Sequence, residues 1–296
     1  MSYPLVTIGI MTYNSGKTVL DTLESAFEQS YDNLELIISD DCSKDNTVAL
    51  CEEWLSTHSD RFVRTRLLMV QKNTGTSGNC NRIVREAKGD YIKILAGDDI
   101  FFRDCIKVNL ENIGSSDMMI SQYLKFDGDT VYEYVDNVDY KQFCSLAPEK
   151  RVHYYARTAF FCNVPTLFYK KTLFDNVGMF EEKLPLLEDT PFLLKVFASS
   201  SIVSYLPVQT IKYRAGGISK FSIKFEHILD EAFFQYRIHY LDKRNRIDRQ
   251  LIRERKLYSF LLNHSSLFYY CVRYYYSRLN FLYKYIRKRI FSFDNL

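Results

Sequence analysis

Within its first hundred residues the chain alternates four short apolar runs with three amphipathic stretches, a rhythm few folds tolerate. Val6 to Met11 is β-rich. Gly16 to Gln29 follows, with Val19, Leu20, Leu23, Ala26 and Phe27 on one helical face. Leu34 to Ser39 is nearly all apolar, as a strand covered on both faces should be. Asp45 and Asn46 can cap a helix from Thr47 to Leu55. Arg66 to Val70 reads as a third strand, Thr76 to Ala87 as a helix entered through Asn73, Thr74 and Gly75, and Tyr91 to Leu95 as a fourth strand. Repeated βα units predict an α/β fold: a mostly parallel, twisted sheet with helices on both faces. Ligands of such sheets bind beyond the carboxyl ends of the strands.

Composition narrows the class. The 296 residues are 47% hydrophobic and 25% charged, which excludes wholesale disorder. A chain this long buries roughly three quarters of its unfolded surface and needs no disulfide staples. Its seven cysteines form no CxxC pair, so neither a disulfide framework nor a thiolate zinc site is expected. Cys42, Cys51 and Cys80 read as small buried hydrophobes. The five histidines form no i, i+4 pair. The N-terminus lacks the pattern of a signal peptide. The most apolar tail segment, Leu257 to Val272, is interrupted by Asn263, His264, Ser265 and Ser266, so no spanning helix is expected. The chain reads as cytoplasmic.

Charge divides the sequence. Residues 1–211 hold 21 Lys+Arg and 29 Asp+Glu, a net of −8; residues 212–296 hold 18 and 7, a net of +11. The basic tail also concentrates tyrosine and phenylalanine, and it looks helical from Ile228 onward. It can be a helical subdomain packed on the sheet, an interfacial membrane helix with Lys/Arg at the headgroups, or, least favoured, a nucleic-acid surface.

Three polar segments stand at strand ends: Thr12-Tyr13-Asn14, Asp40-Asp41-Cys42-Ser43 and Gly97-Asp98-Asp99. Each alone is ordinary turn chemistry. On one parallel sheet they would face one crevice, where clustered carboxylates repel unless a cation compensates them. Oxygen ligands favour Mg²⁺ or Mn²⁺, ions that keep water and bind phosphate oxygens. Two Asp, a metal and a flat aromatic suit a nucleoside diphosphate. Gly16-Lys17-Thr18 is no P-loop, because Met11 stands where the first glycine belongs, and no GxGxxG follows a strand.

Several blocks in order carry a resemblance: VTIGIMTYNSGKTVLDTLESAFEQSYDNLELIISDDCSKDNT, then NTGTSGNCNRIVREAKGDYIKILAGDD, then GMFEEKLPLLEDTPFLLKVF. Over residues 4–217 the chain resembles a family 2 glycosyltransferase with the nucleotide-diphospho-sugar (GT-A) fold, of the bacterial surface-polysaccharide type. The resemblance implies a catalytic domain over 1–217, with a nucleotide-binding half (1–100) and an acceptor half (101–217), followed by a basic helical extension, 218–296. It implies that Thr12, Tyr13 and Asn14 line the nucleobase pocket, that Asp40 reads the base and that Asp41 supports that loop. Ala96-Gly97-Asp98 stands where the family carries its DxD element, so the first Asp is missing. Asp99 is then the metal ligand, and Asp98 takes ribose or metal.

Glu188-Asp189 matches the acceptor-side acidic pair, with Asp189 the general base and Glu188 positioning it; the alternative is a helix start capped before Pro191. Arg214 is a candidate for the leaving phosphates. Asn73, Gly75 and Asn81 shape the loop beside the nucleotide. Residues 136–158 show no clear pattern and are expected to be an acceptor loop.

The implied activity is inverting transfer from a nucleotide-sugar, UDP-linked, to a saccharide or lipid-linked saccharide. The implied cofactor is Mn²⁺ or Mg²⁺, and residues 245–296 would meet an anionic membrane at the inner face of the cell. A sugar-phosphate nucleotidyltransferase and an inactive nucleotide-sugar binding module remain the alternatives.

Overall fold

A computed structural model describes residues 3–132, 138–158, 160, 162–183, 188–215, 232–246, 248–253 and 256. The elements run β1 (Val6–Thr12), α1 (Val19–Phe27), β2 (Leu34–Asp40), α2 (Thr47–His58), β3 (Arg64–Met69), α3 (Gly75–Glu86), β4 (Tyr91–Ala96), β5 (Ile100–Phe101) and α4 (Cys105–Ile113). There follow β6 (Met118–Asp127), β7 (Thr130–Tyr132), α5 (Tyr140–Ser145), α6 (Pro148–Thr158), β8 (Leu167–Lys170), α7 (Thr172–Val177), α8 (Asp189–Ala198) and β9 (Val203–Arg214).

The sheet order is β3-β2-β1-β4-β8-β6-β9-β5, with β7 hairpinned onto β6. The first four strands are parallel, as the βα rhythm requires, and β1 pairs with β2 from Val6–Leu34 to Thr12–Asp40. Beyond β4 the sheet becomes mixed: β8 runs antiparallel to β4 and β6, whereas β9 runs parallel to β6. Both β1 and β2 are buried along their whole length, which explains why they lack alternation. One face packs on α1, α2 and α4 through Ile8, Ile10, Leu23, Trp54 and Ile106. The other packs on α3, α6 and α8 through Ile83, Tyr155, Phe192 and Phe197. Gly9 permits the α3 approach, since a Cβ there would stand 2.4 Å from Ile83 Cγ2.

The segment 136–158 corrects an expectation, because α5 and α6 occupy most of it rather than a loop. The buried face of α6 carries Arg151 and Arg157 beside Val152, Tyr155 and Ala156, which breaks the apolar periodicity a helix normally displays. Arg151 donates to the carbonyls of Ser199 and Ser201, and Arg157 pairs with Asp248 at 2.8 Å.

Asp248 belongs to the basic extension, so the described part of that extension shares the catalytic core. Residues 232–238 and 248–253 are helical. Phe234, Leu241, Leu251 and Ile252 join the α6–α8 cluster, and Arg237 Nε donates to the Ala156 carbonyl at 2.6 Å. Within the segment 245–296 expected to meet a membrane, Asp248, Leu251 and Ile252 are buried, whereas Arg249 and Gln250 are exposed. Residues 257–296 lie outside the described residues. Among the described residues no helix is long and apolar enough to cross a membrane.

Candidate active site

The loops after β1 and β2 are joined through Asp40. Its Oδ1 accepts from Thr12 Oγ1 at 2.9 Å and from Ser43 Oγ at 2.5 Å, and its Oδ2 from Ser43 N at 2.8 Å. Asn14 joins the same loops: its N–H donates to Ser43 Oγ, and its Oδ1 accepts from Lys44 N, both at 2.8 Å. The two loops turn through left-handed residues, Asn14 at φ 51° and Cys42 at φ 67°. Asn tolerates that conformation through local hydrogen bonds, whereas Cys42 relies on its neighbours. Cys51 and Cys80 are buried as expected; Cys42 is half-buried, with Lys44 Nζ donating to its Sγ at 3.1 Å. Tyr13, in the loop after β1, has 37% of its surface exposed.

Asp41 serves a different purpose. It accepts from Thr74 N and Oγ1, from Gly75 N at 2.8 Å and from Arg82 Nη2 at 2.9 Å. It thereby satisfies orphan amides at the start of α3 and ties the β2 loop to that helix. Asn73 supports this by donating to the Asp41 carbonyl. Asn81 donates to Phe180 O and Glu182 Oε1, tying α3 to the segment after α7. The sequence reading missed Arg82, because a cation on a surface-patterned helix carries no distinctive local signal.

The turn after β4 is fastened to β1 and α1. Gly97 N donates to Met11 O, Thr18 Oγ1 to Gly97 O, and Thr22 Oγ1 to Asp99 O. Asp99 is 1% exposed, and its Oδ1 accepts from Arg214 N at 2.8 Å. The Asp98 carboxylate accepts no hydrogen bond from another described residue. Burial pushes both acids above the ordinary carboxylate range, and the Asp98 charge raises Asp99 further. Arg214 reaches this turn through Nε to the Asp98 carbonyl, but its Nη2 pairs with Asp21 at 3.1 Å and its guanidinium covers the Phe126 ring at 4.7 Å. In this arrangement Arg214 braces the carboxylate turn and is already shared with Asp21.

Glu188 and Asp189 open α8 without capping it, since neither carboxylate bonds a helix amide at that terminus. Glu188 Oε2 accepts from Thr76 Oγ1, and Asp189 Oδ1 accepts from Val164 N at 2.7 Å. Burial raises both acids, and the Glu188 charge raises Asp189 further. The pair adjoins Cys80 and Tyr169, whose ionisation its charges oppose. The first turn of α3 thus holds Asp41 through Thr74 and Gly75, and Glu188 through Thr76. That one turn therefore links the β2 loop to the start of α8. Thr76 and Val164 are the positioning groups that no sequence motif marked.

The sequence matches the family described as glycosyl transferase family 2 over residues 7–178. The chain belongs to that family. Among curated relatives it is 29% identical over 140 residues to glycosyltransferase GlyG of Streptococcus pneumoniae, covering 46% of this chain and 45% of that one. It is 24% identical over 210 residues to the poly(ribitol-phosphate) beta-N-acetylglucosaminyltransferase TarS of Staphylococcus aureus, covering 69% of this chain and 34% of TarS. The chain spans about half the length of GlyG and about a third of TarS. In three dimensions it superposes on S. aureus TarS 1–349 in complex with UDP-GlcNAc with a TM-score of 0.60, 19% identity, and coverage of 80% of this chain and 70% of that one. The mannosyltransferase of Pyrobaculum calidifontis in complex with GDP-Man and Mn²⁺ gives 0.58 at 17% identity, covering 80% and 63%. These similarities establish the GT-A fold that the sequence blocks imply.

Proposed function

We propose that the protein is an inverting glycosyltransferase that moves a sugar from a UDP-sugar to a saccharide hydroxyl in cell-surface polysaccharide or lipid-linked oligosaccharide synthesis. The observation that carries this reading is the α3 turn holding Asp41 on one side and Glu188 on the other. Tyr13 offers its ring to the base, while Thr12 and Asn14, locked to Asp40, shape the pocket floor. The remaining acceptor capacity of Asp40 meets a base donor. The UDP-GlcNAc of the TarS complex and the GDP-Man of the mannosyltransferase complex support a donor of this class.

The Asp98–Asp99 turn fits a divalent cation: the Asp98 carboxylate is uncommitted, Asp99 keeps one oxygen, and their mutual repulsion calls for a positive charge. Asp99 would hold Mn²⁺ or Mg²⁺, with Asp98 on the metal or ribose. The ion, when bound, supplies charge to offset the leaving diphosphate.

Val164 N fixes Asp189 through one oxygen and leaves the other to take the proton of the acceptor hydroxyl as the hydroxyl oxygen attacks the anomeric carbon and the nucleoside diphosphate departs. Glu188 raises the proton affinity of Asp189 and keeps the pair oriented through Thr76. A single displacement inverts the anomeric configuration. Residues 257–296, basic and aromatic, would hold the enzyme against an anionic membrane; sedimentation with anionic vesicles, with and without them, tests this.

The deciding experiment measures UDP release from a panel of UDP-sugars with Mn²⁺ and saccharide acceptors. Turnover that Asp189→Asn abolishes while UDP binding persists is expected. Full turnover in that variant would remove Asp189 from the chemistry.

A further inference from the structure

A concavity lies where the 3₁₀ turn before β8 meets β6, β9 and the start of α5. β8 itself pairs antiparallel with β4 as far as Lys93–Phe168. Asn163, Thr166, Gln122, Tyr123, Tyr140 and Tyr205 line a cavity of about 100 Å³ there. That is room for several waters or one sugar ring, and too little for a nucleotide.

Asn163 is 4% exposed, yet neither its Oδ1 nor its Nδ2 has a hydrogen-bond partner among the described residues. Buried amides are ordinarily satisfied, and leaving both ends unpaired costs stability with no structural return. Other polar groups of the wall are engaged within the protein, as Ser121 Oγ is with the Thr166 carbonyl. Gln122 Nε2 donates to Tyr205 Oη at 2.6 Å, and Thr166 Oγ1 donates to Asn163 O at 2.8 Å. No described lining residue is ionisable as an acid, lysine, arginine or histidine, so the cavity does not select an anion.

One donor-and-acceptor amide amid tyrosine rings, without charge, matches vicinal hydroxyls on a ring whose C–H face rests on an aromatic. Asn163 also precedes Val164, whose N–H fixes Asp189. We propose that this cavity is the subsite for one uncharged pyranose unit of the acceptor, with the Asn163 amide bridging two of its hydroxyls. Its acceptor role rests on the glycosyltransferase reading; saccharide binding in it does not.

Saturation-transfer NMR on the full chain tests this with methyl β-glucopyranoside, methyl β-galactopyranoside, the methyl glycoside of N-acetylglucosamine and, as a charged control, methyl glucuronoside. UDP binding is followed in parallel. At least one neutral glycoside should bind, the glucuronoside should not, and Asn163→Ala should weaken the bound glycoside about tenfold, the loss of one to two neutral hydrogen bonds. Asn163→Leu, which fills the same volume, should do likewise while keeping or raising the melting temperature, since it removes unpaired groups. Failure of every neutral glycoside to bind protein that still binds UDP would overturn the proposal, as would equal binding by both variants. Glycoside binding without UDP binding would instead leave the subsite standing and remove the donor assignment.

Discussion

Asp41 and Asp189 are both acids of the candidate site, yet the protein treats them oppositely. Asp41 receives four protein donors, Thr74 N, Thr74 Oγ1, Gly75 N and Arg82 Nη2. Asp189 receives one from the described residues, Val164 N, and sits beside the like charge of Glu188. The loops after β1 and β2 are completed by their own hydrogen bonds. The start of α8 and the turn before β8 keep groups unfinished: Asp189 with its raised proton affinity, and Asn163 with no partner among the described residues. A saturated carboxylate stabilises structure, and an unsaturated one remains available for chemistry.

The widest separation between the two should come from Asp189→Asn. The amide still accepts from Val164 N, so the fold should persist while transfer falls about 10²–10⁴-fold. In the parent enzyme the rate should drop as pH falls through the raised Asp189 pKa, giving an acid limb above the ordinary carboxylate range. A limb at the usual carboxylate position would dissolve the contrast with Asp41.

Asp41→Ala should do the reverse, costing roughly 3–5 kcal/mol in chemical denaturation because Arg82 and the α3 amides lose their acceptor. If Asp41→Ala and Asp189→Asn shifted the unfolding midpoint equally, the division of labour would not hold.

A smaller effect separates the core from the extension. Burial raises the Asp248 pKa, but hydrogen bonds from His153 and Arg157 and the Arg157 charge outweigh it, so the folded value lies below the unfolded one. That stabilisation is present above about pH 4 and is lost as pH falls through the folded pKa. Asp248→Asn should cost about 2 kcal/mol and speed amide exchange in residues 232–253 selectively. Uniform loss of protection would mean that the extension and the core unfold together. Gly9→Ala should cost least, roughly 1–2 kcal/mol, as Ile83 yields to the added methyl.

The first half of the sheet was legible because parallel strands buried on both faces must be apolar, and each helix between them must show one apolar face. The strand-end carboxylates were legible for a similar reason, since topology sends the ends of β1, β2 and β4 to the same edge. The helix α6 was not legible, because Arg151 and Arg157 occupy its buried face and find their acceptors on Ser199, Ser201 and Asp248, far along the chain. The partners of Asn81, at Phe180 and Glu182, were not legible for the same reason, being distant in sequence.

The sequence by itself determined the family, the parallel half-sheet and the identity of the acids at the strand ends, because periodicity and motif spacing are local and repeat along the chain. Only the tertiary structure decided which of those acids are consumed by the protein and which are left open. It alone showed that Arg214 is shared with Asp21, that the α8 acids do not cap their helix, and that Asn163 is buried without a partner among the described residues. Hydrogen-bond saturation depends on donors brought from other elements, such as Thr76 to Glu188 or Val164 to Asp189, and no local pattern encodes those meetings.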